Sequence, residues 1–320
     1  MQPADVNTLA TSKGGALTLA EEIELSQGSF VEAKITRSVW VQMTQLDKLT
    51  YHEIDANYIT PIVAYLRFAL GASVPLSGAR LQLDDQWLDV VHSGMSLDED
   101  ENVAERDVFL PFQVAGLTVL SKFLDVYEQV GPAVAVTESA LSNRRHATVD
   151  TLILELTTVA EGLHRTLFPE QERIPRADAT RIRALIDGAL RDETDPRYRQ
   201  IVTGSAMRFL EEPNYKSRLH RLAEEVADAM PAVCGDRQKW VKKVDEARNS
   251  FAHRTGGFIP HDRVNETYIL TKSLQWLLMG NVLLASGVPS ETLRQRLDEY
   301  QPYQFFLRNA RASASDVYDC

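Results

Sequence analysis

Cysteine is nearly absent: Cys234 and Cys320 are the two in 320 residues, far apart and outside any C-x-x-C spacing. A disulfide framework and a thiolate metal site are both excluded, and a reducing cytoplasm is the expected setting. Long apolar runs are missing as well. The longest, Val108 to Leu120 and Leu277 to Val288, are broken by polar or glycine residues and fall short of the roughly 20 residues that cross a bilayer, so no membrane partner is expected. The opening stretch, MQPADVNTLATSKGG, lacks the basic start, apolar middle and small-residue cleavage pattern of a secretory signal. No glycine-rich phosphate loop and no Ser-His-Asp pattern is present, so no cofactor is predicted. No segment repeats, which argues against a solenoid.

Basic residues are also in deficit, 34 against 45 acidic, for a net charge of -11. Long-range repulsion of a polyanion follows, which argues against a broad nucleic-acid coat but leaves room for a local basic site. The charge is unevenly spread. Between Asp84 and Asp107 nine acids face one base, Arg106, whereas Asp236 to Arg254 holds six bases and three acids. Asp98 to Glu101 offers four successive carboxylates, which read as a solvated loop rather than a metal site.

What is present is a 44% hydrophobic content in a chain longer than one typical domain. Residues 1–20 are small and polar and read as a flexible lead-in. Residues 21–107 read as a small α+β region. Two or three strands are expected around Glu22–Leu25 and Phe30–Met43, a helix over Tyr58–Leu70 stopped by Gly71, and a hairpin over Ala79–Val91. The acidic run Ser96–Asp107 is the expected boundary. Residues 108–305 read as helical, with helices at Phe112–Val130, Thr148–Leu167, Arg176–Arg191, Pro196–Leu210, Lys216–Met230, Asp236–Ala252, Val264–Ser286 and Ser290–Tyr300. Residues 306–320 read as a C-terminal tail. The fold class predicted is mainly α: a C-terminal antiparallel helical bundle preceded by the small α+β region.

One segment carries chemistry. In EARNSFAHRTGG, Asn249 and His253 lie four apart on one helix face, and the long side chain of Arg248 can swing toward the same cleft. Cleaving RNA beside its own 2'-hydroxyl needs a base for that hydroxyl, a proton for the leaving oxygen and cationic donors for the crowded phosphate. Histidine exchanges protons near neutral pH, and a guanidinium fork holds two phosphate oxygens. Arg248, Asn249 and His253 are therefore the candidate catalytic set, with no metal required.

The run Arg248-Asn249-Ser250-Phe251-Ala252-His253 resembles the R-N-x-x-x-H signature of HEPN domains. The helix TLILELTTVAEGLHRTLFPE, with Glu161, Leu163, His164 and Arg165, is similar to the opening helix of the HEPN domain in ApeA-like bacterial anti-phage proteins. The similarity covers roughly residues 145–290. ITPIVAYLRFALGASVPLSGARLQL loosely resembles the segment that precedes that domain. The resemblance implies a metal-independent endoribonuclease whose site is shared across a homodimer, each subunit giving one Arg and His pair. It also implies abortive infection as the setting and transfer RNA as the substrate class. The region before the bundle is shorter than the N-terminal sensing part of ApeA-like proteins.

Glu161 and His164 either line the cleft as accessory residues or serve the edge of the bundle. Lys239, Lys242, Lys243 and Arg254 either track RNA phosphates or form a solvated face. The whole domain is either an active nuclease or a catalytically inactive HEPN module that binds RNA or a partner protein.

Overall fold

The computed structural model describes residues 8–12, 15–27, 33–44, 48–71, 78–83, 86–90, 108–141, 148–207, 209–252 and 261–319. The protein is mainly α with a small β region near the N-terminus. It divides into two compact units. One comprises Met1–Arg145 with Met279–Gln304, the other His146–Leu278 with Phe305–Cys320.

The first unit opens with three antiparallel strands in the order β1 (Thr8–Ala10), β2 (Ala16–Gln27) and β3 (Ala33–Thr44). The β2–β3 register runs from Ala16 opposite Thr44 to Gln27 opposite Ala33. Residues 16–20, expected in a flexible lead-in, begin β2. Leu17 is completely buried there, and a Leu at that depth contributes about 1.5–3 kcal/mol. The helix expected from Tyr58 begins earlier, as α1 (Tyr51–Ile54) and a wider π-type turn (Asp55–Ile59) leading into α2 (Thr60–Leu70). A capping box starts it: Thr50 Oγ1 accepts from the Glu53 N–H, and the Glu53 carboxylate accepts from the Thr50 N–H. The wide turn sits where Pro61 has no N–H to give to the carbonyl four residues back. Gly71 ends α2 as anticipated, at φ 66°. A side chain there would also collide with Tyr300.

The expected hairpin is present as β4 (Arg80–Leu83) paired with β5 (Gln86–Asp89). The acidic stretch Ser96–Asp107 lies outside the described residues. Next comes α3 (Phe112–Leu141), which continues past Val130 with a bend at that residue, just before Pro132. Phe123 of α3 packs edge-on against Tyr65 and Phe68 of α2, and Arg67 pairs with Glu138 at 2.6 Å.

Among its described residues, the second unit has helices and no strands. Thr148 caps α4 (Val149–Leu167), whose buried stripe is Ile153, Leu156, Ala160 and Leu163. Next is α5 (Arg176–Ala189), then α6 (Pro196–Ile201) with a π-type turn over Val202–Ala206, in place of the single helix expected over Pro196–Leu210. Asn214 caps α7 (Tyr215–Glu225), accepting from the Ser217 N–H at 2.9 Å. Asp236 caps α8 (Arg237–Ala252) by accepting from the N–H groups of Gln238 and Lys239. The buried faces of α4, α7 and α8 pack on one another, with Leu219, Leu222, Trp240, Val241 and Val244 almost wholly enclosed.

In α9 (His261–Ala285), Ile269 to Leu278 is buried on nearly every side, as in a central helix. It precedes α10 (Ser290–Glu299), α11 (Gln301–Ser313) and α12 (Ser315–Tyr318). The segment expected as a tail, 306–320, thus holds most of α11 and all of α12. Tyr318 donates to the Val233 carbonyl at 3.0 Å, and the Asp236 N–H donates to the Val317 carbonyl at 2.7 Å. Gly235, at φ 52°, makes that approach possible, since a Cβ on it would lie 2.3 Å from the Val317 oxygen. Among the described residues, no helix is long and apolar enough to cross a membrane.

Candidate functional site

On α8, Val241, Val244 and Arg248 fall at i, i+3 and i+7, so Arg248 continues the face that Val241 and Val244 bury. Its side chain, 28% exposed, sits at the rim of that core. Arg248 Nη2 donates to Glu161 Oε2 on α4 at 3.1 Å. Its guanidinium lies 4.2 Å from the ring centroid of Tyr215, the first residue of α7. Burial pushes the Tyr215 phenol far above its ordinary range, with the Arg248 charge opposing, so the ring stays neutral under the cation.

Glu161 does not belong to Arg248 alone. It also accepts from Arg165 at 3.2 Å, one turn further along α4. Arg165 reaches Glu212 at 3.1 Å, and Glu212 pairs with the nearly buried Arg218 of α7 at 3.3 Å. Arg218 in turn faces His164 Nδ1 at 3.3 Å. Three guanidiniums therefore share two carboxylates, and one positive charge is left over at the rim.

His164, 1% exposed, is held on both nitrogens. Arg218 can only donate, so Nδ1 accepts, and Nε2 carries the proton toward Gln171 Oε1 at 2.5 Å. Burial, helped by Arg218, Arg221 and Arg165, lowers its pKa against the opposing Gln171 bond. The ring is a neutral fixture of the bundle, joined to Arg248 through the ionic chain.

The remaining sequence candidates divide. Asn249 is exposed, one step around the helix from Arg248. His253 and Arg254 lie outside the described residues. Lys243 is tied to Glu266 of α9 and to Asp316 of α12 at 3.0 Å, and those carboxylates raise its pKa. Lys239 donates to the Asp316 carbonyl at 3.0 Å. Lys242 is 72% exposed and only loosely paired with Glu246 at 3.9 Å. Seven positions separate it from Asn249, which puts both on one solvent face of α8.

Sequence reasoning did not select Tyr215, Arg218 or Glu212. The i, i+4 spacing of Glu161 and Arg165 was readable as an ion pair. Nothing local in the sequence joins residues 212–218 to position 248.

A helical unit with an arginine-centred polar cluster at the rim of its core defines the class. Residues 154–292 match the Apea-like HEPN family, a span that includes Glu161, Tyr215, Arg218 and the whole 248–253 motif. The chain therefore carries an ApeA-like HEPN domain, and HEPN domains are often nucleases. No curated protein and no solved structure matches the chain.

Proposed function

We propose that this protein is a metal-independent endoribonuclease acting in anti-phage defence or abortive infection, with transfer RNA as the substrate class. The carrying observation is the placement of Arg248. The arginine of the R-N-x-x-x-H motif stands at the rim of the core, partly exposed, in a cluster with a surplus cation. A phosphodiester is the ligand such a group fits.

In this reading the 2'-oxygen of the substrate attacks the adjacent phosphorus while the bond to the 5'-oxygen of the next nucleotide breaks. His253 handles the protons, taking one from the 2'-hydroxyl and supplying one to the leaving oxygen. Two copies of the Arg and His pair, one from each subunit of a cytoplasmic homodimer, cover both duties. Arg248 stabilises the charge that builds on the phosphate oxygens, and Asn249 orients the group beside it.

The test is cleavage of total transfer RNA in EDTA by the full chain, by His253→Ala and by Arg248→Ala. Cleavage by the wild type, with each variant slower by about 100-fold or more, supports the reading. Intact RNA with all three chains, together with retained RNA binding, points instead to an inactive HEPN module.

A further inference from the structure

We propose that Glu161 and Tyr215 are positioning residues for Arg248, fixing its guanidinium before substrate arrives. This rests on the reading of Arg248 as the phosphate-holding group. An arginine side chain has several rotatable bonds and loses appreciable freedom when it must hold one pose. Here the pose is fixed in the free protein from two other helices. Glu161 of α4 engages Nη2 at 3.1 Å, and the Tyr215 ring covers one face at 4.2 Å. Among the described residues, Nε and Nη1 donate no hydrogen bond, so each keeps N–H groups to give to phosphate oxygens while Nη2 is held by Glu161.

The two supports are themselves anchored. Tyr215 is half-buried, with its hydroxyl oxygen enclosed, at a helix start that the Asn214 cap fixes. Glu161 divides its charge between Arg248 and Arg165, so it orients Arg248 without cancelling the charge of the cluster. A carboxylate owned by Arg248 alone would compete with the phosphate. A shared one guides it.

The test combines cleavage rates with a direct view of the guanidinium. In the full chain, Tyr215→Leu and Glu161→Gln should each lower kcat on total transfer RNA about tenfold with little change in KM, because orientation is expressed at the transition state. Tyr215→Phe, which keeps the ring, should recover most of the loss. In an Arg248→Lys background, whose cation is not a planar fork, the two substitutions should have almost no further effect. By ¹⁵N–¹H NMR, the Arg248 side-chain resonances should show a ring-current shift that Tyr215→Leu removes.

Equal losses in both backgrounds, or Arg248 resonances unmoved by Tyr215→Leu, would overturn the positioning role while the nuclease reading stands. No cleavage by any chain, with the ring-current shift intact, would remove the nuclease reading and the catalytic purpose of the cradle with it.

Discussion

Arg248 and Glu161 stand 87 positions apart in the chain and meet at 3.1 Å. Through that contact the motif helix α8 is joined to α4 and, by way of Arg165, Glu212 and Arg218, to α7 and His164. The surplus positive charge of these residues thus sits in an arginine cluster held by the core. On the lysine-rich side of α8, Lys243 is spent on two carboxylates of its own chain.

The neutral state of His164 makes stability depend on pH. Its folded pKa lies below the ordinary 6.5, so as pH falls the unfolded chain takes up the proton first. The stabilisation is complete above about pH 7 and is lost as pH drops from 6.5 through the lower folded value. His220, lowered mainly by burial and by Arg237, works in the same direction. Urea midpoints measured from pH 7.5 down to about pH 5 should fall for the wild type, and His164→Gln should flatten the slope.

Much of this architecture was legible where periodicity was strong and caps were explicit. Ile153, Leu156, Ala160 and Leu163 announce α4, and Gly71 marks the end of α2. The capping box of Thr50 and Glu53 was equally explicit, yet lay ahead of the apolar run used to place that helix. Phe306, Leu307 and Ala310 also carry helical spacing, and their segment read as a tail because the polar residues around them resemble a chain end. The Arg248, Asn249 and His253 motif was visible because its members are close in sequence. The cradle around Arg248 was not, since Glu161 and Tyr215 reach it only through tertiary packing of α4 and α7.

Gly235 and Gly188 should respond oppositely to alanine. Gly235 has a left-handed backbone and no room for a Cβ beside the Val317 carbonyl, so Gly235→Ala should cost about 2 kcal/mol or more and loosen α12. Gly188 is an exposed helical position with open space around it, and Gly188→Ala should add about 0.5–1 kcal/mol. Chemical denaturation of the two variants checks both signs.

Lys242 and Lys243, adjacent in sequence, should separate in two assays. Lys243→Ala leaves Glu266 and Asp316 without their shared cation and should lower stability by about 1–2 kcal/mol, with little effect on RNA affinity. Lys242→Ala, on the exposed face with Asn249, should leave stability within about 0.5 kcal/mol and weaken RNA binding in low salt. Denaturation and RNA titration at two ionic strengths read out both.

The central claim is that the motif directs attack by the 2'-oxygen of the substrate. The most direct measurement is cleavage of a transfer RNA carrying a single 2'-deoxy substitution at the position mapped as cut, beside the unmodified RNA, with the product ends determined by mass spectrometry. The account predicts that the unmodified RNA yields a 2',3'-cyclic phosphate and a 5'-hydroxyl and that the deoxy position is not cut. Cleavage at the deoxy position, or ends bearing a 5'-phosphate, would contradict it.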